Sequence, residues 1–185
     1  MSFYHDKHLV EKLLELKKNF DYKIFIETGT EKGDTVRTLI NYFDKIYSCE
    51  IDEKYYQYHI DLENNSKVTL LKGSSSDKLK EIFDELPNDK FFIYLDAHWG
   101  LYWPLLDELK FIKDYNFKPV IIIHDFETGI QGHVGDCYMV DGIKTKLNWD
   151  YIQDSIISIY GENGYNFHYN DSTEIDRGCV FIYPK

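Results

Sequence analysis

The sequence contains few cysteines, and they do not form a disulfide or metal motif. Cys49, Cys137 and Cys179 are odd in number, lie far apart and include no C-x-x-C pair. A disulfide framework or a structural zinc knuckle would need paired or closely spaced cysteines. The cysteine content therefore argues against both and favours a reducing compartment, so we expect a cytoplasmic protein.

The sequence also lacks long hydrophobic runs. The longest aliphatic run covers only residues 120–123, whereas a helix that crosses a bilayer needs about 20 apolar residues. The N-terminus alternates charged and apolar residues and has no apolar stretch of the signal-peptide type. We therefore expect no membrane partner.

Basic residues are fewer than acidic ones. The 21 Lys and Arg against 32 Asp and Glu give a net charge of −11. Nucleic-acid affinity depends largely on Lys and Arg that neutralise phosphates, so this balance argues against a nucleic-acid partner. The hydrophobic content of 43% over 185 residues is sufficient for a core, and we expect one domain over residues 1–185.

Short β-rich runs alternate with amphipathic helical patterns along most of the chain. The predicted strands cover residues 23–27, 45–50, 68–72, 91–96 and 119–124. The predicted helices cover residues 4–19, 34–43, 53–65, 77–86 and 103–115, with Asp34 and Asp77 as N-caps. Nearly continuous apolar strands between helices are typical of a parallel sheet covered on both faces. We therefore predict a doubly wound α/β fold with an N-terminal helix within residues 1–20.

The end of the chain departs from this alternation. The polar, glycine-rich segment 127–146 is predicted to be a loop, and a helix is expected over residues 149–160. Two last strands, 166–169 and 179–183, are too close in sequence for a helical crossover and should pair antiparallel. Because the loop 127–146 follows the fifth strand, we hypothesise that it closes over a substrate as a lid.

A glycine-rich turn, residues 27–35, follows the first strand. In doubly wound folds this turn lies in the crevice where ligands bind. The turn lacks the Lys-Ser/Thr of a phosphate-binding P-loop, and Glu31 puts an anion where a dinucleotide's pyrophosphate would lie. The spacing suits a ligand with an ammonium group, which Glu27 or Glu31 could attract. The alternative interpretation is a plain strand–helix turn.

Two further strand ends carry residues suited to a nucleoside. Glu50 ends the second strand, 21 positions after Gly29, and a carboxylate there can accept hydrogen bonds from ribose hydroxyls. The third strand ends in Gly73 followed by Ser74 and Ser75, small polar residues that suit an adenine edge. One of these serines could instead be a helix N-cap.

These strand ends, with the end of the fourth strand, carry a resemblance to a known family. The residues concerned are Glu27-Thr28-Gly29-Thr30-Glu31-Lys32-Gly33-Asp34-Thr35, Glu50, Gly73-Ser74-Ser75 and Leu95-Asp96. Through them the sequence resembles the class I S-adenosylmethionine-dependent methyltransferases. The resemblance covers roughly residues 23–184. It implies a Rossmann-like, seven-stranded, mostly parallel sheet in the order 3-2-1-4-5-7-6 with an antiparallel C-terminal hairpin. It also implies S-adenosylmethionine as cofactor, bound by Glu27, Thr28, Gly29, Thr30, Glu31, Gly33, Thr35, Glu50, Ser74, Ser75 and Asp96.

Acids and histidines follow the fourth and fifth predicted strands. Asp96 and His98 follow one, and His124 and Asp125 the other. Neighbouring strand ends should bring them together, where they could act as a general base, bind a divalent metal, or both. We take Asp96, His98 and His124 as candidate catalytic residues. Asp96, His124 and Asp125 are candidate ligands for a metal, either Mg²⁺ or Mn²⁺.

This cluster is similar to that of metal-dependent small-molecule O-methyltransferases, both the catechol type and the sugar-modifying type. Asp96 matches the acid after strand four of that family, and Asp125 matches the second member of its pair after strand five. His124 departs from the pattern, because an acid is usual there. The catalytic lysine of the catechol-type enzymes has no counterpart, because Gly100 follows Trp99.

The resemblance implies transfer of a methyl group to oxygen. Almost all of the chain is needed for the cofactor fold, so we expect a small hydroxylated molecule or a sugar as the acceptor. Trp99, Tyr102 and Trp103 could floor its pocket or pack at a helix start, and His133 is a weaker candidate. A homodimer is compatible with the sequence. The alternatives are another enzyme with the same fold, either an oxidoreductase of the NAD type or a sulfonium enzyme that is not a methyltransferase, and a non-catalytic binding subunit.

Overall fold

The structure is a computed structural model that describes residues 7–87, 90–99, 102–140, 142–170 and 177–185. Residues 1–6 of the predicted N-terminal helix, Gly100, and Asp141 of the predicted loop lie outside the described residues. Among the residues described, no helix is long and apolar enough to cross a membrane.

One seven-stranded sheet organises the chain. Its strands are β1 (Ile24–Thr28), β2 (Lys45–Glu50), β3 (Val68–Lys72), β4 (Phe91–Leu95), β5 (Val120–Ile123), β8 (Tyr165–Tyr169) and β9 (Val180–Pro184). The order is β3-β2-β1-β4-β5-β9-β8, with β1 to β5 parallel and β9 antiparallel to both neighbours. Strands β6 (Cys137–Val140) and β7 (Ile143–Lys146) form a separate hairpin, and without them this is the predicted order 3-2-1-4-5-7-6. The predicted doubly wound fold and its antiparallel C-terminal hairpin are confirmed.

The helices cover both faces of this sheet. They are α1 (Lys7–Phe20), α2 (Asp34–Leu39), α3 (Ile60–Glu63), α4 (Ser75–Glu85), α5 (Leu105–Asp114) and α6 (Trp149–Tyr160). Side chains alternate across a strand, so Phe25 packs with α1, α2 and α3, whereas Ile26 packs with α4, α5 and α6. Strands β4 and β5 are buried throughout, which accounts for their continuous apolar sequence.

The helix predicted over 53–65 is wrong as a single element. The structure has a 3-10 helix, Glu53–Tyr58, followed by the one-turn helix α3. No residue of the 3-10 helix is buried, and Leu62 is the only buried residue of α3. Without a buried apolar stripe, tertiary packing does not support a long helix here.

The two predicted N-caps are also wrong. The N-cap residue of helix α2 is Gly33, which has a left-handed φ of 84°. Asp34 is therefore the first residue of the helix and not its cap. Helix α4 is capped by Ser74, whose hydroxyl accepts a hydrogen bond from the Asp77 amide. The Ser74 hydroxyl also donates to the Asp77 carboxylate at 3.0 Å, a second contact within the first turn of α4.

The prediction of a loop over 127–146 is wrong for its second half. Strands β6 (Cys137–Val140) and β7 (Ile143–Lys146) form an antiparallel hairpin there. Tyr138 is buried, with its ring 4.7 Å from that of Trp103 and 5.4 Å from that of Tyr151. The sequence held a signal for this turn, because Asp-Gly between β-forming residues is typical of a tight hairpin.

Candidate active site

A cavity of about 730 Å³ opens at the carboxyl ends of the parallel strands. This is the position where doubly wound folds bind ligands. Most of the site residues predicted from the sequence line it: Gly29, Thr30, Glu31, Thr35, Glu50, Ser74, Ser75, Asp96, His98, His124 and Asp125. Glu27, Thr28 and Gly33 are not among the lining residues.

The glycine turn closes one wall of the cavity. Gly29 has a φ of 85°, and a Cβ atom there would lie 3.1 Å from both the Asp96 carbonyl oxygen and the Ala97 Cα. The amides of Gly29 and Thr30 both donate to the Cys49 carbonyl, at 3.0 and 3.1 Å. Only glycine combines this backbone conformation with such a close approach to the end of β4. The turn is therefore held between β2 and β4.

Glu50 is oriented by the backbone on both sides of it. Its Oε2 accepts a hydrogen bond from the Glu31 amide at 2.7 Å, and its Oε1 accepts one from the Asp52 amide at 2.8 Å. Only 8% of the residue is exposed. An ionised carboxylate has about four lone-pair positions, so two remain for a ligand in the cavity. The carboxylate is thus fixed before any ligand binds.

Glu27 lies behind the cavity wall rather than on it. It is 1% exposed, and its Oε2 accepts a 2.6 Å hydrogen bond from the Ser48 hydroxyl. The Ser48 hydroxyl is in turn 2.6 Å from that of Thr30, which does line the cavity. Burial raises the pKa of Glu27 to about 8, although hydrogen bonds from Ser48 and Thr35 oppose this. Glu27 therefore contacts the wall through hydroxyl groups.

Thr28 and Gly33 support the turn from inside the fold. Thr28 is fully buried, and its carbonyl oxygen accepts a hydrogen bond from the Asp96 amide at 3.2 Å. A Cβ atom on Gly33 would come within 2.5 Å of a Leu62 methyl group. Both residues therefore position the turn without lining the cavity.

The serine segment forms another part of the wall. The Gly73 amide donates to the Glu50 carbonyl at 2.8 Å, which joins this segment to the end of β2. Ser74 and Ser75 line the cavity together with Ile51 and Pro104. Ser74 also caps α4, which confirms the N-cap interpretation for this serine, and its contact with an adenine stays a prediction.

Glu108 is a buried acid that the sequence analysis missed. It lies on the buried face of α5 and is 0% exposed. Burial raises the pKa of its carboxyl to about 7, while the hydroxyls of Ser75 and Thr28 lower it. Its spacing from Leu105, Leu109 and Ile112 follows the apolar stripe of the helix, which was the available signal.

Asp96, His124 and Asp125 meet on the far side of the glycine turn. Their potential ligand atoms all lie within 4.8 Å of one another. His124 Nδ1 is 3.1 Å from Asp96 Oδ1 and 3.3 Å from Asp125 Oδ1. Burial opposes a charge on the imidazole, but the two carboxylates outweigh it and raise the pKa of His124 to about 10. The two carboxylates therefore favour the protonated form of the imidazole.

Arg177 and Asp136 complete this cluster and were not predicted. Arg177 Nη1 is 3.4 Å from Asp125 Oδ1 and 2.5 Å from Asp136 Oδ1. Burial would raise the pKa of Asp125, but His124 and Arg177 together lower it to about 2. The two missed residues are 41 positions apart. No local pattern could have paired them, because β9 and the hairpin segment bring them together.

The remaining candidates separate into two groups. His98 is exposed and lines the cavity, with its Nδ1 3.3 Å from the Asp96 carbonyl oxygen. Trp99 and Tyr102 line the mouth and are each 58% exposed. By contrast, Trp103 is buried against the hairpin, and His133 bonds to the Thr128 hydroxyl outside the cavity lining.

Comparison with known proteins supports the fold assignment. No protein-family model matches the sequence, and no curated protein sequence matches it. Among solved structures, the chain is similar to a Klebsiella pneumoniae protein assigned as an O-methyltransferase. The match covers 98% of this chain and 82% of that protein, with 18% identity and a TM-score of 0.65. It is also similar to an O-methyltransferase from Bacillus cereus in complex with SAH. That match covers 97% of this chain and 82% of the other, with 17% identity and a TM-score of 0.64.

A third similar structure is a Staphylococcus aureus protein assigned to the caffeoyl-CoA O-methyltransferases. It shares 14% identity over 97% of this chain and 84% of its own length, with a TM-score of 0.63. At such low identities these likenesses show the fold, which is that of the class I S-adenosylmethionine-dependent methyltransferases.

Proposed function

We propose that the protein is an S-adenosylmethionine-dependent methyltransferase that methylates a hydroxyl group of a small molecule or a sugar. The observation that carries this proposal is the Glu50 carboxylate, held by two backbone amides opposite the glycine turn. Such a carboxylate suits the two hydroxyls of a ribose. The similarity in fold to an O-methyltransferase in complex with SAH agrees with it.

The residues of the cavity fit this cofactor. Its volume of about 730 Å³ falls within the range of small-molecule and cofactor sites, roughly 300–1,000 Å³. In the proposed arrangement the methionine part lies along Gly29, Thr30 and Glu31, and the ribose bonds to Glu50. Ser74 and Ser75 then line the adenine.

The cofactor supplies a methyl group that its sulfonium already activates, so the chain's main task is to orient the acceptor and exclude water. Good orientation alone lowers a barrier by roughly 7–11 kcal/mol. The acceptor hydroxyl must also lose its proton. Because the neighbouring carboxylates raise the pKa of His124 and favour its protonated form, we assign proton acceptance to the Asp96 carboxylate or to the His98 imidazole. His124 then orients Asp96 and Asp125.

His98 has a suitable geometry for this role. Its Nδ1 lies 3.3 Å from the Asp96 carbonyl oxygen, which can accept a hydrogen bond from an Nδ1–H group. That contact favours the tautomer in which Nε2 has a free lone pair. Nε2 is then the nitrogen that can take a proton from an acceptor in the cavity.

The donor set of the cluster also fits a divalent cation. Two carboxylates and one imidazole would hold it through Asp96, Asp125 and His124. His124 Nδ1 lies 3.1 and 3.3 Å from the two carboxylate oxygens, so the three donor groups are close enough together to contact one ion. When bound, such an ion would lower the pKa of the acceptor hydroxyl. Its binding requires that His124 lose its proton, and the imidazole makes Mn²⁺ a better candidate than Mg²⁺.

The acceptor end of the cavity supports a small acceptor. Trp99 and Tyr102 present exposed rings at the mouth. Flat apolar surfaces of this kind can pack against an aromatic ring or the apolar face of a sugar. The described part of the chain offers no second folded unit to hold a polymer.

A thermal-shift comparison of SAH with NAD tests the proposal. At 100 times its Kd a ligand stabilises the folded state by about 2.7 kcal/mol, which should raise the Tm by roughly 5–10 °C for a chain of this size. We expect this shift with SAH and none with NAD at the same concentration. A shift with NAD alone would favour the oxidoreductase. No shift with either ligand, together with no heat of SAH binding in calorimetry, would favour a non-catalytic subunit.

A further inference from the structure

The backbone around Arg177 is fixed from several directions. The Arg177 carbonyl accepts a hydrogen bond from Asn170 Nδ2 at 3.1 Å, and Asn170 is itself buried. The next residue, Gly178, donates to the Val134 carbonyl at 3.4 Å and accepts from the Phe126 amide at 2.8 Å. A Cβ atom on Gly178 would lie 2.0 Å from the Phe126 carbonyl oxygen. The chain thus presents Arg177 to the cluster from a rigid position.

The guanidinium of Arg177 and the imidazole of His124 share one oxygen atom. Asp125 Oδ1 is 3.4 Å from Arg177 Nη1 and 3.3 Å from His124 Nδ1. The carboxylate of Asp125 is one of the three groups that could hold a divalent cation. A positive charge of the protein therefore already lies beside a carboxylate that a metal would need.

Asp136 offers Arg177 a second carboxylate outside the candidate metal ligands. The distance from Arg177 Nη1 to Asp136 Oδ1 is 2.5 Å, shorter than that to Asp125. Asp136 is also tied to the cluster through its backbone, since its amide donates to the Asp125 carbonyl at 2.7 Å. Its carbonyl in turn accepts from the Leu147 amide at 2.9 Å.

We infer that Arg177 determines how tightly this cluster binds a divalent cation, because its guanidinium competes with the cation for the Asp125 carboxylate. Like charges a few ångströms apart repel strongly when they are partly buried. Binding of a cation therefore favours the arrangement in which the Arg177 guanidinium bonds to Asp136 and leaves Asp125. The cluster thus carries a counter-cation of its own beside Asp125. This inference rests on the proposed function for the role of the site, but cation binding can be measured without methyl transfer.

Titration with Mn²⁺ tests this inference, with free Mn²⁺ followed by electron paramagnetic resonance. Arg177→Gln removes the charge and keeps a group that can bond to Asp136, whereas Arg177→Lys keeps the charge. We expect Arg177→Gln to bind Mn²⁺ at least about tenfold more tightly than the wild type. Arg177→Lys should stay within about threefold of the wild type. Adding Asp125→Asn to Arg177→Gln should remove the gain, which would locate the ion.

Lys146→Gln is the matched control. Lys146, the last residue of β7, forms an ion pair with Glu127 at 2.6 Å, and neither residue belongs to the cluster. It should leave Mn²⁺ affinity unchanged. Equal Mn²⁺ affinity in the wild type and Arg177→Gln, or an equal gain in Lys146→Gln, would overturn the inference.

Folding and cofactor binding are checked on the same samples. If Arg177→Gln does not fold, Arg177→Met is a second neutral variant. If neither neutral variant folds, Arg177 is a structural requirement and the inference is overturned. SAH titration separates the two proposals. Absent SAH binding with the expected Mn²⁺ gain would contradict only the proposed function, and normal SAH binding without the gain would contradict only the role of Arg177.

Discussion

At the scale of single residues, Glu50 is oriented both by a neighbour in sequence and by a residue remote in sequence. Its two oxygens bond to the amides of Glu31 and Asp52, one from the glycine turn and one from the residue after β2. Charge-assisted bonds of this kind are stronger than neutral ones. The cost of orienting the carboxylate is therefore met during folding, not during ligand binding.

Glu50→Gln should weaken SAH binding about 10- to 100-fold, as expected when two hydrogen bonds to a charged acceptor are lost or weakened. Isothermal titration calorimetry measures the affinity. Glu53→Gln is the matched control, because Glu53 is an exposed acid only three residues away, and it should bind SAH like the wild type. Unchanged affinity in Glu50→Gln would remove Glu50 from the proposed cofactor site.

Glu27 should make the stability of the protein depend on pH. Its folded pKa of about 8 exceeds the ordinary value of 4.5 because the carboxyl is buried. Between these values the folded state binds more protons than the unfolded state, so stability falls as pH rises through that window. The stability is fully present below about pH 4.5 and is lost as pH approaches and passes about 8.

Glu27→Gln should therefore gain stability relative to the wild type as pH rises from about 5 to about 9, because it carries no charge to bury. Each unit of pKa corresponds to about 1.4 kcal/mol, so we expect the difference in unfolding free energy to change by at least that amount. Urea unfolding at several pH values measures it. Glu162→Gln, at an exposed acid, should run parallel to the wild type. If the unfolding free energies of Glu27→Gln and the wild type change with pH in parallel, the Glu27 carboxyl of the wild type is ionised in the folded protein.

At the level of elements, the β6–β7 hairpin is attached to the domain mainly through Tyr138. Its ring packs on Trp103 and Tyr151, while Ile143 near the tip is 69% exposed. Asp136, at the base of the hairpin, lines the cavity. An element anchored at its base and exposed at its tip can open locally, and closure over a substrate stays a prediction.

Tyr138→Ala should loosen the hairpin without harming the proposed cofactor site. Removing a buried aromatic ring lowers stability by about 3 kcal/mol. Here we expect the loss to weaken the packing of the hairpin against the domain. We expect faster amide hydrogen exchange over residues 137–146 and SAH affinity within about twofold of the wild type. Ile143→Ala should change neither property. Unchanged exchange in Tyr138→Ala would mean that other contacts hold the hairpin closed.

For the whole molecule, net charge and topology act on different properties. The strand order places the glycine turn, Glu50 and Asp96 at one edge of the sheet. The net charge of −11 instead governs which partners approach the surface. A negative surface repels polyanions over distances comparable to the Debye length.

We therefore expect no binding of duplex DNA or single-stranded RNA. Fluorescence anisotropy of labelled oligonucleotides at about 50 mM salt, where electrostatic binding is strong, should stay flat up to about 10 μM protein. A basic DNA-binding domain tested in parallel shows that the assay detects binding. A salt-dependent rise in anisotropy with this protein would point to a local basic surface and to a nucleic-acid acceptor.

Much of the fold was predictable because it depends on patterns that are local in sequence. Apolar strands between amphipathic helices indicated the parallel sheet, and the short spacing of the last two strands indicated the antiparallel hairpin. The errors occurred where local signals compete. Ser74 rather than Asp77 caps α4, and the segment after Asp52 lacks the buried stripe that a long helix needs.

The candidate site was predictable wherever it follows a strand end. Asp96, His124 and Asp125 were expected to be neighbours because adjacent parallel strands end at the same edge, and their ligand atoms do lie within 4.8 Å. Arg177 and Asp136 were missed because their pairing depends on how β9 and the hairpin return to the cluster. The placement of Glu27 behind the wall likewise depends on the Ser48 hydroxyl of the neighbouring strand.

The amino-acid sequence by itself determined the alternation of strands and helices, the excess of acidic charge and the residue types at each strand end. These properties depend on periodicity and composition, which act over a few residues at a time. The raised pKa of His124 and the contact of Arg177 with the Asp125 carboxylate, by contrast, arise only once the chain is folded. Such charge states depend on burial and on distances between groups that are remote in sequence, because Coulomb energies vary with separation and with exclusion of water.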